Sequence, residues 1–225
     1  MKKRSKYLIV LLLVTMYFCK TATYTPKNTT QEVWIYGTYK SDSTLFRDGI
    51  ENIKKFGKIN LPDSPLWRYD TIRYFPFAEY ITEIDASNTY IGQGGLVFFK
   101  QFPNLKKIRF QYSGINDLSQ LPKIDSLEYL DIALDTIDFK GMQVFFENYK
   151  DSKIRNLDLN YCNLDSIPNN ICNLTNLRYL YILNNKNLRQ LPLCLNNLKS
   201  LETIGISNNY DSLIIENDSR IYRFD

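Results

Sequence analysis

The chain has 225 residues, 44% of them hydrophobic and 23% charged, with a formal net charge of +4 and no histidine. That length allows one or two domains with a sizeable core, and the lack of histidine excludes Ser-His-Asp and Cys-His catalysis and His-ligated metal sites. The charge is no argument for nucleic acid: residues 1–20 hold five basic residues and no acidic one, leaving 23 basic against 24 acidic elsewhere, whereas nucleic acid needs a basic stripe on the folded domain.

Residues 1–20 read as an export signal. Lys2, Lys3, Arg4 and Lys6 precede the apolar run "YLIVLLLVTMYF" (7–18), which is short of the ~20 residues of a membrane span. Cys19 ends the run where a bacterial lipoprotein carries its lipidated cysteine, but Tyr17 and Phe18 are bulky where such a signal has small residues. Lipidation at Cys19, cleavage with simple secretion and an uncleaved anchor are the three routes this segment allows. Residues 21–30, "TATYTPKNTT", are expected to form a flexible tether.

Residues 31–80 are expected to form an N-terminal α+β cap. "EVWIYGTYK" (32–40) has strand-like content, and "STLFRDGIENIKKFG" (43–57) reads as an amphipathic helix with Ser43 at its start and Gly57 at its end. A turn-rich connector with Trp67 follows. A small independent binding domain is the alternative.

From Ile81 onward the chain repeats itself. Six blocks begin at Ile81, Leu105, Leu127, Ile154, Leu177 and Leu201, spaced by 24, 22, 27, 23 and 24 residues. Each is apolar at positions 1, 4 and 6, polar or small at position 9 and apolar near position 11, as in "IRNLDLNYCNL". Positions 4 and 6 alternate on a short strand and point inward together. Position 9 sits where the chain turns, and an Asn there both donates and accepts. Asn185 and Asn209 fill it, Cys162 fills it in the fourth block, and Ser113, Asp135 and Thr89 are weaker substitutes. The longest return segment, 139–152, is helix-like, with Met142, Val144, Phe145 and Phe146 for the core.

These blocks, over 81–213, resemble the leucine-rich repeat, L-x-x-L-x-L-x-x-N/C-x-L. The resemblance implies an α/β solenoid, a horseshoe with short parallel strands on its concave face. Residues 214–225, "IIENDSRIYRFD", are short and read as a C-terminal tail or cap, a terminal strand or a partly ordered end. The resemblance also implies binding on the concave face through positions 3, 5, 7 and 8. The expected contact residues are Tyr129, Asp131, Asn156, Asp158, Tyr179 and Tyr181. Tyrosine brings large contact area with little rotamer entropy. Asp85, Arg109 and Asp131 alternate in sign along position 5 and are expected to pair, whereas Asp158 has Asp131 on one side and Tyr181 on the other. Two solvated carboxylates are the plain reading of Asp131 and Asp158, and a site for a partner's basic group is the sharper one.

Of Cys162, Cys172 and Cys194, the last two are read as buried free thiols, with a disulfide between them as the alternative. The function expected is a non-enzymatic module, exported to the cell envelope or secreted, that binds a protein or peptide without a cofactor. A glycan-binding surface protein is the alternative, and a hydrolase using Asp131 and Asp158 is the remote third. Three Asn-x-Ser/Thr triplets, at Asn28, Asn173 and Asn217, are what an Asn-rich chain produces by chance, and the composition points to a bacterial source.

Overall fold

Three residues of strand, a turn and a return segment make one coil, and coils stack so that each strand pairs with the next. The computed structural model describes residues 33–34, 54–61, 77–208 and 219–224. The expected export signal with Cys19, the expected tether, residues 43–53 of the expected helix, Trp67, Asn209 and Leu213 lie outside the described residues. Residues 54–56 are helical.

Among the described residues nine strands form one parallel sheet in chain order. They are β1 (Val33–Trp34), β2 (Lys58–Asn60), β3 (Glu83–Asp85), β4 (Lys107–Arg109), β5 (Tyr129–Asp131), β6 (Asn156–Asp158), β7 (Tyr179–Tyr181), β8 (Thr203–Ser207) and β9 (Ile221–Phe224). Register is constant: Ile59, Ile84, Ile108, Leu130, Leu157, Leu180 and Ile204 lie side by side. All are 2% exposed or less. Position 1 and position 6 form two more buried columns, from Ile81 to Leu201 and from Ala86 to Ile206. Each such Leu or Ile contributes roughly 1.5–3 kcal/mol by leaving water, and only a neighbouring coil can cover it.

The strand ladder begins before the first predicted repeat, with β1 and β2, and β2 belongs to a coil of the same kind. Position 2 gives the proof: its carbonyl accepts two N–H groups from positions 2 and 3 of the next coil. Thr82 O takes Lys106 and Lys107 this way, Arg155 O takes Arg178 and Tyr179, and Gly57 O takes Thr82 and Glu83. Phe56-x-x-Ile59-x-Leu61 is therefore a coil in the same register, inside the region expected to be a differently built cap. Gly57 has φ +65, and a Cβ there would lie 2.6 Å from Tyr80 O, so this coil needs glycine at position 2. At the other end β9 pairs parallel with β8, Ile221 beside Ile204.

The return segments are mostly 3₁₀ turns: Leu96–Gln101, Leu118–Gln120, Asn169–Asn173 and Leu193–Asn197. The first follows a single helical turn, α1 (Gly92–Gly95), and seats Phe98 and Phe99 edge-to-face against Phe102 and Phe110. The longest is the expected helix, α2 (Phe139–Asn148), capped by Asp138 Oδ2 accepting from Gly141 N–H at 2.7 Å. Met142, Phe145 and Phe146 are buried as expected, but Val144 is half-exposed. The fourth large core residue is Tyr149, fully buried, whose hydroxyl donates to Pro122 O at 2.7 Å and accepts from Ile124 N–H.

Position 9 is buried in the five coils where that residue is described: Thr89, Ser113, Asp135, Cys162 and Asn185. Four of these donate to the position-6 carbonyl of the preceding coil. Thr89 Oγ1 reaches Leu61 O at 2.7 Å, Ser113 Oγ reaches Ala86 O at 2.8 Å, Cys162 Sγ reaches Ile132 O at 3.2 Å, and Asn185 Nδ2 reaches Leu159 O at 2.9 Å. Asn185 Oδ1 also accepts from Cys162 and Leu164 N–H, each at 3.0 Å. Asp135 does the accepting half alone, from Ser113 and Gly114 N–H. Immediately before it, position 8 is left-handed in each of these coils: Asn88, Tyr112, Leu134, Tyr161 and Asn184 have φ between 52 and 67. That conformation turns the chain into its return and throws the side chain outward.

Cys172 and Cys194 form a disulfide with Cα atoms 6.1 Å apart, contrary to the expectation of free thiols. Both lie in 3₁₀ returns of adjacent coils, where stacking brings together residues 22 apart. Cys162 is free and buried, and its burial raises the thiol well above its usual range.

Two outcomes are expected. Asn185→Ala strands two buried N–H groups and two carbonyls, so urea unfolding should reveal a loss of about 3 kcal/mol or more, against well under 1 kcal/mol for Asn184→Gly. Reducing Cys172–Cys194 should cost about 3 kcal/mol, the chain-entropy value for a loop of this size, and Cys162 should resist alkylation until the chain unfolds.

Candidate functional site

The six predicted contact residues come together as a grid on three adjacent strands. Tyr129, Asn156 and Tyr179 form one row across β5–β7, and Asp131, Asp158 and Tyr181 form the next. Neighbours along a row are about 4.8 Å apart.

Asp131 departs from expectation. It is 2% exposed, so it is neither solvated nor open to a partner. Its Oδ2 accepts from Gln111 Nε2 at 2.7 Å and its Oδ1 from Ala133 N–H at 3.1 Å. Burial raises its pKa, and those hydrogen bonds oppose the rise. The expected pairing along position 5 is found for Asp85 and Arg109, at 3.5 Å, while Asp131 turns to Gln111. Position-5 aspartates share a local role that spacing did not reveal: each accepts from the N–H two residues on, Asp85 from Ser87, Asp131 from Ala133 and Asp158 from Asn160. The position-7 N–H finds no strand partner, and the carboxylate supplies one. In the fifth repeat, where Tyr181 replaces aspartate, Leu183 N–H is taken by Asn160 Oδ1 at 2.6 Å.

Asp158 is half-exposed. Burial first, with Asp131 adding to it, pushes its pKa up to about 6 against the hydrogen bond from Asn160. Among the described residues no lysine or arginine forms an ion pair with it. It is a carboxylate in a partly dry place with no cation paired to it among the described residues.

The tyrosines are held differently. Lys107 Nζ lies over the Tyr129 ring at 4.4 Å, and burial together with the two nearby aspartates raises the phenol to about 12. Tyr179 donates to Glu202 Oε2 at 2.8 Å, and Arg178 Nε holds Glu202 Oε1 at 2.7 Å. That hydrogen bond raises Tyr179 and lowers Glu202. Tyr181 lies over Gly205, where a Cβ would meet its Cδ1 at 2.6 Å, and its ring is edge-on to Phe224 at 6.4 Å. Gly205 at position 5 is thus the opening that lets Tyr181 lean across β8, a role the sequence alone did not assign.

Chemically the grid offers aromatic faces, an amide and one electron-rich carboxylate. Asp131 has both oxygens engaged and no access, so Asp131 and Asp158 are not an acid and a nucleophile facing one substrate. Among the described residues no group of three or more Cys, Asp and Glu is placed to hold a metal ion, and no helix is long and apolar enough to cross a membrane. No protein-family model matches the chain, and no curated protein sequence matches it either.

Because the folded pKa of Asp158 lies above its unfolded value, the folded state binds the extra proton between about pH 4 and 6. Stability contributed by the neutral form is present below about pH 4 and lost as pH rises through 6. Asp158→Asn keeps the Asn160 hydrogen bond and should raise Tm at pH 7.5 by about 2–4 °C, the response to ~1 kcal/mol in a domain this size after allowing for partial solvent screening. The difference from wild type should vanish at pH 4 in thermal melts.

Proposed function

We propose that this chain is a non-enzymatic leucine-rich repeat module that binds a protein or peptide through its strand face, over β5 to β7. The observation that carries this reading is the grid itself: tyrosine rings on the strands around Asp158, a half-buried carboxylate raised to about 6 and without an ion pair among the described residues. A lysine or arginine of a partner would supply that cation, and the tyrosines would flank its aliphatic stem. The repeat type is inferred from the apolar pattern, the 22–27-residue period and the buried polar residue at position 9. On that reading the strand face is the concave one.

Export is part of the proposal. The basic and apolar segment 1–20 supports it, and so does the Cys172–Cys194 disulfide, since such bonds persist in oxidising compartments. Cys19 is the proposed lipid attachment point for a form held at the cell envelope.

Selection from a displayed random peptide library should enrich peptides with Lys or Arg beside an aromatic or aliphatic residue. Their affinity should drop about tenfold in Asp158→Asn and in Tyr181→Ala, and it should weaken as pH falls below about 6, where Asp158 takes up its proton. Peptides that bind both variants as tightly as wild type would sink the reading.

A further inference from the structure

The strand face is not the only surface with exposed rings. A second row follows the turn after each strand, at the left-handed position and just beyond it. Tyr90 is 74% exposed, Tyr112 69%, Leu134 47% and Tyr161 55%. They belong to four successive coils and extend over roughly 14 Å at the spacing of parallel strands. Such a contiguous set of outward apolar groups marks a binding surface on a soluble fold.

Two features make Tyr90 a platform. Its ring lies against Gly114, where a Cβ would come within 2.5 Å of Cε2, and beside Gly92, where a Cβ would come within 3.2 Å of Cε1. Both glycines have positive φ, so the backbone too requires glycine there. The ring is therefore backed by main chain while most of its surface faces solvent. Tyr112 and Leu134 sit in a left-handed conformation that costs about 1–2 kcal/mol for a residue with a Cβ, and Asn would hold the same turn more easily.

Between Tyr90, Tyr112 and Leu134 runs a groove of about 470 Å³, rimmed by Asn88, Asn116 and Thr136. Among the described residues no lysine or arginine lines it. Its one carboxylate, Asp135, is 6% exposed and taken up by Ser113 and Gly114 N–H. The groove thus presents ring faces, neutral amides and a hydroxyl, with no charge to meet an ionic ligand. Its openness leaves no enclosed pocket for an apolar side chain. A neutral ligand with flat C–H faces and many hydroxyls satisfies both the rings and the rim.

We propose that this turn edge is a carbohydrate-binding surface that takes a neutral oligosaccharide or polysaccharide chain, stacked on Tyr90 and Tyr112 and hydrogen-bonded by Asn88, Asn116 and Thr136. It is separate from the strand-face grid and stands or falls without it.

The test is native affinity electrophoresis of the full chain in gels containing a β-glucan, a mannan or a xylan, with polygalacturonate as the anionic comparator. Retardation is expected in at least one neutral gel, insensitive to salt. Tyr90→Ala and Tyr112→Ala should each weaken it about tenfold, Tyr90→Phe should retain it, and Leu193→Ala, an exposed residue in the return segment of another coil, should leave it unchanged. Circular dichroism and thermal melts establish that the variants fold, which the exposure of both rings favours. The proposal is overturned by no retardation in any neutral gel, by retardation in polygalacturonate alone, by equal retardation of the alanine variants, or by those variants abolishing binding to a proline homopolymer and not to polysaccharide.

Discussion

Everything in this fold depends on how one buried polar residue per coil is satisfied. The turn after each strand leaves carbonyl and N–H groups inside, away from water, where each unpaired group costs about 1–3 kcal/mol. Thr89, Ser113, Cys162 and Asn185 meet that need with side chains that reach into the coil before. A coil cannot complete its own turn. The same dependence holds for the apolar columns, so cooperativity passes from neighbour to neighbour. The position-2 carbonyls, each accepting two N–H groups from the next coil, repeat the arrangement at the other end of the strand.

Fixed register is what gives the outward residues meaning. Because Leu130, Leu157 and Leu180 lie side by side, the residues on either side of them must also lie side by side. Tyr129, Asn156 and Tyr179 are thereby neighbours although more than twenty residues separate each from the next. Charge on this face is mostly neutralised within the molecule: Lys58 with Glu83, Asp85 with Arg109, Arg178 with Glu202. Among the described residues Asp158 forms no such pair, and burial with Asp131 beside it raises its pKa.

The architecture was legible because it is written as a period. The three apolar columns and the position-9 column follow from counting, and the described structure places them as counted. The coil at Phe56 was equally legible, since Phe56, Ile59 and Leu61 match the pattern, but Pro62 and Pro65 and the helical look of the preceding residues hid it. What counting could not reach were interactions between side chains. Nothing in the order of residues says that Asp131 turns under Gln111 and is lost to a partner or that Gly205 makes room for Tyr181, and the Cys172–Cys194 pairing was open as an alternative that only the stacking of adjacent returns decides. The row of Tyr90, Tyr112, Leu134 and Tyr161 is not marked by alternation along a strand, because outward projection at Tyr112, Leu134 and Tyr161 comes from a left-handed backbone conformation.

The left-handed residue at the end of each strand sets two demands against each other. Asparagine or glycine would relax the backbone there, as Asn88 and Asn184 do, yet Tyr112, Leu134 and Tyr161 stand in the same geometry with bulky groups turned to water. Those three coils are thus less robust than their scaffold permits, and their relaxation would strip the rings from the rim. Engineering this molecule for heat tolerance by the obvious route would therefore sand away its most adhesive border first.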